Sequence, residues 1–259
     1  MPEGDTVYRS ARALNEALAG HVLEVCDLRV PAFATVDLSG QTVDEVVSVG
    51  KHILHRIGGM TIHSHLKMEG SWHLYLPGSP WRRPAWQARA VLATSERVTV
   101  GFSLGVLEVV PREREDEVIG HLGPDILSPA WDPAEALRRL TADPARPIGL
   151  ALLDQRVIAG LGNVYRNELC FLRGVLPTRP VGEVADPAGM IELAHRLVLA
   201  NRDRTERTTT GDLRRGRQSY VQRREGKPCL RCGTPITLGA LGDSELTERQ
   251  VYYCPVCQR

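Results

Sequence analysis

The chain has 259 residues, 42% of them hydrophobic and 24% charged, an ordinary globular composition able to bury one large core or two smaller ones. No stretch approaches the roughly 18 unbroken apolar residues of a membrane span, and the start carries Glu3, Asp5, Arg9 and Arg12 with no apolar block, so a soluble cytoplasmic protein with no membrane partner is expected. Lys and Arg outnumber Asp and Glu only 32 to 31, so net charge names no partner.

In chain order, Asp5 or Thr6 is placed to cap a first helix to about Leu18, with Val7, Ala11, Leu14 and Leu18 on one face and Gly20 ending it. From Val22 to Val110 the pattern changes to short β-branched runs, interrupted at Pro31, Gly40, Gly58-Gly59, Pro77 to Pro84 and Gly101, which predicts an antiparallel sandwich or flattened barrel. Asp132-Pro133 opens a helix over Ala134 to Leu140, Pro147 begins another, and Asp186-Pro187 precedes a third that runs past Leu199. Thr205 to Gly216, rich in Thr, Arg and Gly without a period, reads as a loop. The fold class is therefore α+β and multi-domain: an antiparallel β-sandwich with a leading helix, then a helical domain, then a short cysteine-bearing hairpin.

Charge is distributed more tellingly than its total. Between Arg196 and Arg231 there are eleven Lys or Arg against four Asp or Glu, 11 − 4 = +7, a local basic segment suited to nucleic acid. It leads into Cys229-x2-Cys232 and Cys254-x2-Cys257, two knuckles 21 residues apart, which is the pattern of a four-thiolate zinc site. Four thiolates leave no open coordination position, so one structural Zn²⁺ is expected to hold a hairpin that aims Arg249, Tyr252 and Tyr253. Cys26 and Cys170 stand alone in apolar surroundings and read as small buried hydrophobes. At the chain start, removal of Met1 before the small Pro2 leaves a secondary amine. That amine is a nucleophile, with a useful neutral fraction near an α-amino pKa of about 8. Glu3 stands next to it as a proton donor.

Four separated segments acquire a joint meaning: Met1-Pro-Glu-Gly-Asp-Thr6, Val49-Gly-Lys-His-Ile-Leu54, Ala159-Gly-Leu-Gly-Asn-Val-Tyr-Arg-Asn-Glu168, and the cysteine quartet. Together, and in this order from first residue to last, they resemble the formamidopyrimidine-DNA glycosylase and endonuclease VIII family. The resemblance implies a bifunctional DNA glycosylase and abasic-site lyase of base excision repair, acting as a monomer on damaged double-stranded DNA, with single-stranded or bubble DNA as further substrates, in a bacterial nucleoid. It implies Pro2 as Schiff-base nucleophile, Glu3 as proton donor, and Lys51 at the lesion phosphate and as an acid in β-elimination. Gly160-Leu-Gly-Asn163 resembles the helix-two-turn-helix turn, where Asn163 both caps the helix and contacts phosphate. Arg249, five residues before Cys254, takes the place of the zinc-finger arginine that grips phosphate and assists δ-elimination. His65-Leu-Lys-Met-Glu-Gly70 matches the intercalation loop, with Met68 as the wedge and Lys67 beside it. His121 stands where the endonuclease VIII branch has a DNA-contacting arginine. The implied domains are a catalytic sandwich over 1–127, a helix-two-turn-helix domain over 128–222 and a zinc finger over 223–259.

Which base is cut turns on departures from the purine-directed branch. Thr99-Val-Gly-Phe-Ser-Leu-Gly105 lacks the Asp-x-Arg-x-Phe-Gly segment that faces an orphaned cytosine, and Gly149 stands where that branch has a lysine. Oxidised pyrimidines are therefore the expected substrates, with a purine-directed 8-oxoguanine and formamidopyrimidine glycosylase as one alternative. A non-enzymatic zinc-dependent DNA-binding protein is the other, though it has no need of Pro2, Glu3 and Lys51 together. Thr6 replaces a second glutamate usual in both branches.

Overall fold

Val7, Ala11, Leu14 and Leu18 recur at helical spacing, and burying that stripe makes α1 (Gly4–Leu18) the lid of a β-sandwich. Its cap is Glu3, in extended backbone, rather than Asp5 or Thr6, which lie inside the first turn. The acidic residues there suit the positive end of the helix dipole. Gly20, at φ 80, turns the chain out of the helix as the sequence implies. The computed structural model describes residues 2–259, so the expected removal of Met1 falls outside them.

Two compact units divide the chain, the first ending at His121 and the second running Leu122–Arg259. In the first, β1 (Val25–Leu28), β2 (Val43–Val49), β3 (His52–Ile57), β4 (Met60–His65), β5 (Ser71–Tyr75), β6 (Ala88–Ala93), β7 (Val98–Phe102) and β8 (Val106–Pro111) form two four-stranded antiparallel sheets. Their orders are β1-β6-β7-β5 and β2-β3-β4-β8. Ile53, Ile57 and Ile62 from one sheet meet Trp72, Ala90 and Leu92 from the other, and α1 closes the same core. A short helix, α2 (Asp116–Ile119), follows the last strand. Before it, Glu115 accepts two bonds from the Arg56 guanidinium, at 2.9 and 2.7 Å, and one from the Thr61 hydroxyl at 2.5 Å.

Gly101 does not interrupt a strand. It sits within β7, where an added Cβ would lie 2.6 Å from Leu104 Cδ1 and 3.1 Å from the Trp72 ring. The residue is small because an indole crosses over it. The pattern misses the turns between β2 and β3, between β4 and β5, and at 94–97, where Thr94 N–H donates to the Arg97 carbonyl. Cys26 is also less enclosed than its surroundings suggest, lying half-buried on edge strand β1.

The second unit is helical, with α3 (Pro133–Leu140), α4 (Ile148–Ala151), α5 (Asn163–Arg173) and α6 (Pro187–Asn201), followed by the hairpin β9 (Thr237–Leu241) and β10 (Arg249–Tyr253). Asp132 accepts from the Ala134 and Glu135 N–H groups, and Asp186 from Gly189 N–H, so each Asp-Pro pair opens its helix as read. Residues 205–216 hold no helix or strand, but they are organised. The Asn201 amide exchanges two bonds with the Thr208 backbone at 2.9 and 2.8 Å, and Thr210 Oγ1 donates to the Arg217 carbonyl at 2.6 Å. Among the described residues no helix is long and apolar enough to cross a membrane.

Candidate functional site

At the start of the first unit, Pro2 is half-buried and the Glu3 side chain is 0% exposed. The Glu3 carbonyl accepts from the Thr6 and Val7 N–H groups at 2.9 and 3.0 Å, so helix α1 fixes the backbone beside Pro2. Asp5 is equally buried, and its Oδ1 accepts from Thr6 N–H at 2.8 Å. Lys51 occupies the two-residue turn between β2 and β3, with Gly50 at φ 58 and Val49 paired to His52.

His65, Lys67 and Met68 share the turn after β4. Lys67 adopts a left-handed backbone at φ 52 and its N–H donates to His65 Nδ1 at 2.9 Å, which leaves the His65 proton on Nε2. Gly105 leaves room for the Lys67 stem. Met68 is 68% exposed, so it is free of the core and able to act as a wedge. His121 is exposed, its ring centroid 6.1 Å from that of His52. The sequence reading missed a relay behind these residues: His63 Nδ1 lies 3.1 Å from Glu108 Oε2, and His63 Nε2 lies 2.7 Å from His52 Nδ1. Burial, then the neighbouring His63, His65, His121 and Lys67, pushes His52 down to about 3. Burial, with Lys67 and Lys51, pushes His65 down to about 4. Both imidazoles are thus neutral near pH 7, and Lys51 and Lys67 carry the local positive charge.

In the second unit Gly160, at φ 102, and Gly162 form the turn into α5. Gln155 braces it, donating to the Leu161 carbonyl at 2.9 Å and accepting from Gly160 N–H at 3.0 Å. Gly162, not Asn163, holds the cap position. Asn163 instead donates from Nδ2 to the Gln250 carbonyl at 2.9 Å, and Arg166 Nη2 donates to Asn163 Oδ1 and to the same carbonyl. Glu168, fully buried, accepts from Tyr220, Val221 and Gln222 N–H at 2.8, 2.9 and 2.9 Å and from the Thr209 hydroxyl. The signal for this network was the polar stripe Asn163, Arg166, Asn167 at helical spacing.

Arg249 is exposed at the start of β10, opposite Leu241, with Nη1 donating to the Glu248 carbonyl at 3.1 Å. Tyr252 is not aimed outward with it. Its ring packs with Phe171, Cys229 and Cys254, and the adjacent Val251 is buried as well, so both faces of β10 are covered at this end of the strand. The basic segment is also partly internal. Arg224 is buried and donates to the Gly216 and Pro228 carbonyls, Arg214 and Arg217 pair with Asp212, and Arg207 and Arg231 lie over the Tyr165 and Phe171 rings. Arg196, Arg204, Arg214, Arg215, Arg217, Arg223, Lys227 and Arg231 are nonetheless exposed, so eight of the eleven basic side chains face solvent.

The Sγ atoms of Cys229, Cys232, Cys254 and Cys257 lie within 4.8 Å of one another and can hold a metal ion. Cys229 to Cys257 is 3.9 Å and Cys232 to Cys254 is 3.5 Å. A tetrahedron with metal–sulfur bonds of about 2.3 Å has edges of about 3.8 Å, close to the two shorter separations, so the donor set suits a four-thiolate ion.

Comparison with known proteins agrees with this arrangement. Residues 1–103 match the formamidopyrimidine-DNA glycosylase N-terminal domain, and residues 122–199 match the formamidopyrimidine-DNA glycosylase H2TH domain. The chain is 53% identical to a probable endonuclease 8 2 of Streptomyces coelicolor, covering 100% of this chain and 94% of that one. It is 52% identical to the DNA-(apurinic or apyrimidinic site) lyase Nei2 of Mycolicibacterium smegmatis, covering 100% and 99%. A solved complex of the Lactococcus lactis Fpg with DNA containing an abasic site superposes with a TM-score of 0.81 at 20% identity over 100% of both chains, a likeness of fold.

Proposed function

The chain belongs to the formamidopyrimidine-DNA glycosylase and endonuclease VIII family, and from that premise we propose how its own residues carry out the family's reaction. It is a DNA glycosylase and abasic-site lyase of base excision repair, acting on damaged DNA. The observation that carries the detailed reading is the pairing of Pro2 with a fully buried Glu3 at the start of α1, a nucleophile and an acid on one rigid mount.

With Met1 removed, the Pro2 nitrogen attacks C1′ of the damaged nucleotide and displaces the base, which leaves with the Pro2 N–H proton as its own bond to C1′ breaks. Glu3 protonates the ring oxygen, the C1′–O4′ bond opens, and the Pro2 lone pair closes the iminium. The resulting iminium acidifies C2′. Loss of that proton expels the 3′ phosphate by β-elimination, with Lys51 as acid, and a second elimination at the 5′ side is assisted by Arg249. Asn163, Lys51 and Lys67 hold phosphates, Met68 fills the space of the extruded nucleotide, and His121 contacts DNA. The segment before Gly105 and the glycine at 149 favour oxidised pyrimidines over 8-oxoguanine. One structural Zn²⁺ on the four cysteines keeps the hairpin of β9 and β10 folded and supplies no chemistry of its own. The work divides as catalysis in 1–127, DNA binding in 128–222 and a zinc finger in 223–259. The protein acts as a monomer in the bacterial cytoplasm, at the nucleoid.

Incubation with duplexes carrying thymine glycol, dihydrouracil, 8-oxoguanine or an abasic site, followed by borohydride trapping, tests this. Covalent adducts with strand cleavage, strongest for the pyrimidine lesions, are expected. Cleavage strongest at 8-oxoguanine overturns the pyrimidine preference, and DNA binding without any adduct overturns the Schiff-base mechanism.

A further inference from the structure

The loop between β5 and β6 belongs to none of the roles above, yet it carries the most exposed aromatic ring of the first unit. Trp86 is 74% exposed, on a short turn whose carbonyl accepts from Arg89 Nη1 at 3.0 Å. Trp81, five residues earlier, is anchored with its ring edge-on to Phe102 at 5.8 Å. Between them stand Arg82 and Arg83. Neither has an ion-pair partner among the described residues, and no Asp or Glu occurs from Gly70 to Ser95. Both guanidinium charges reach His73, where after burial they are the next causes of its lowered pKa. Arg83 Nη1 donates to the Glu69 carbonyl at 3.3 Å, which ties this loop to the turn that carries Met68.

An indole left facing water costs solvation free energy, and here the Arg89 bond fixes the backbone that carries the ring while the ring itself stays off the core. A flat ring beside two guanidinium groups that have no ion-pair partner among the described residues complements a polyanion that offers free π-faces. Single-stranded DNA fits that description. Duplex DNA presents phosphates but keeps its bases stacked away from a side chain. Because the loop is tied to the turn bearing the wedge, a strand unpaired beside an extruded nucleotide lies within its reach. We propose that the Trp81–Arg89 loop is a second DNA-binding surface, on which Trp86 stacks an unpaired base while Arg82 and Arg83 hold the adjoining phosphates. The proposal rests on the reading of the protein as a DNA-repair enzyme.

The test measures anisotropy of a labelled, lesion-free oligothymidylate and of a matched duplex, with wild type, Trp86→Ala and Arg82→Ala/Arg83→Ala, alongside borohydride trapping at a duplex abasic site. Loss of one base-stacking contact weakens single-strand affinity about tenfold, so Trp86→Ala loses that factor on oligothymidylate, less than twofold on duplex, and traps like wild type. The double arginine variant lowers the slope of log affinity against log salt on single strands by about 1.4. Equal single-strand binding by Trp86→Ala and wild type overturns the proposal, as does an equal loss on duplex. A wild-type protein that fails to trap overturns the glycosylase-lyase reading instead, and the single-strand comparison still decides the surface.

Discussion

The Asn163 side-chain amide donates to the Gln250 carbonyl at 2.9 Å, so the first residue of α5 is bonded to the strand residue that follows Arg249. A helix start with N–H groups suited to phosphate and a hairpin arginine suited to phosphate are thereby held as one piece within the second unit. Asn163→Ala removes one donor to that carbonyl and the acceptor used by the buried Arg166 guanidinium, while leaving Arg166 on the carbonyl, so it costs about 1.5–3 kcal/mol of stability. Denaturant unfolding reads that loss, and steady-state lyase assays read a rise in KM that exceeds the fall in kcat.

Glu168 is the second tie. Its carboxylate accepts three backbone N–H groups of residues 220–222 and the Thr209 hydroxyl. Glu168→Gln places an amide NH2 among donors, so at least one bond is lost and the variant is destabilised by about 1.5–3 kcal/mol. Hydrogen exchange of the 220–222 amides is predicted to accelerate, and unchanged protection there contradicts the assignment.

Acid should loosen the first unit. Burial depresses His55 to about 4, His65 to about 4 and His52 to about 3, all from an ordinary 6.5. A histidine depressed in the folded state binds its proton more readily when unfolded. The stability it contributes is therefore complete above about pH 6.5 and is lost as pH falls toward 4. His55, its ring 4.7 Å from that of Trp72 and tilted 48° to it, with no hydrogen-bond partner for either ring nitrogen among the described residues, is the clearest case. The unfolding midpoint of His55→Leu should fall less steeply between pH 6.5 and 4 than that of wild type.

Cys254→Ser replaces a fully buried thiol of the quartet. Three thiolates hold zinc far less firmly than four, so metal content, DNA affinity and base excision are predicted to fall together. Zinc measured by atomic absorption on the purified variant, paired with an excision assay, checks this. Full excision by zinc-free protein shows that the hairpin is dispensable.

Periodicity and punctuation made much of this fold legible. The stripe of α1 and the Asp-Pro openings of α3 and α6 are local signals, and local physics produces them. Gly101 misled because a glycine that admits an indole looks the same in sequence as a glycine that breaks a strand. The Glu108–His63–His52 relay was hidden for a related reason: strand pairing brings together residues 45 and 11 apart in sequence, and nothing in the spacing of single histidines encodes that register. Tyr252 and the inward arginines show the same limit, since side-chain direction depends on what the hairpin and the loop pack against. Thr6 lies in the first turn with its hydroxyl 3.3 Å from Asp5 Oδ1, and Asp5, expected only as a helix cap, is a second buried carboxylate there.

The central claim is that the amine of Pro2 forms the bond to DNA. Borohydride trapping on an abasic duplex, then nuclease and protease digestion and mass spectrometry of the cross-linked peptide, locates that bond. The account predicts an N-terminal peptide that lacks Met1 and bears the reduced sugar remnant on the Pro2 nitrogen. A remnant on Lys51 or any other lysine, or on a chain that keeps Met1, contradicts it.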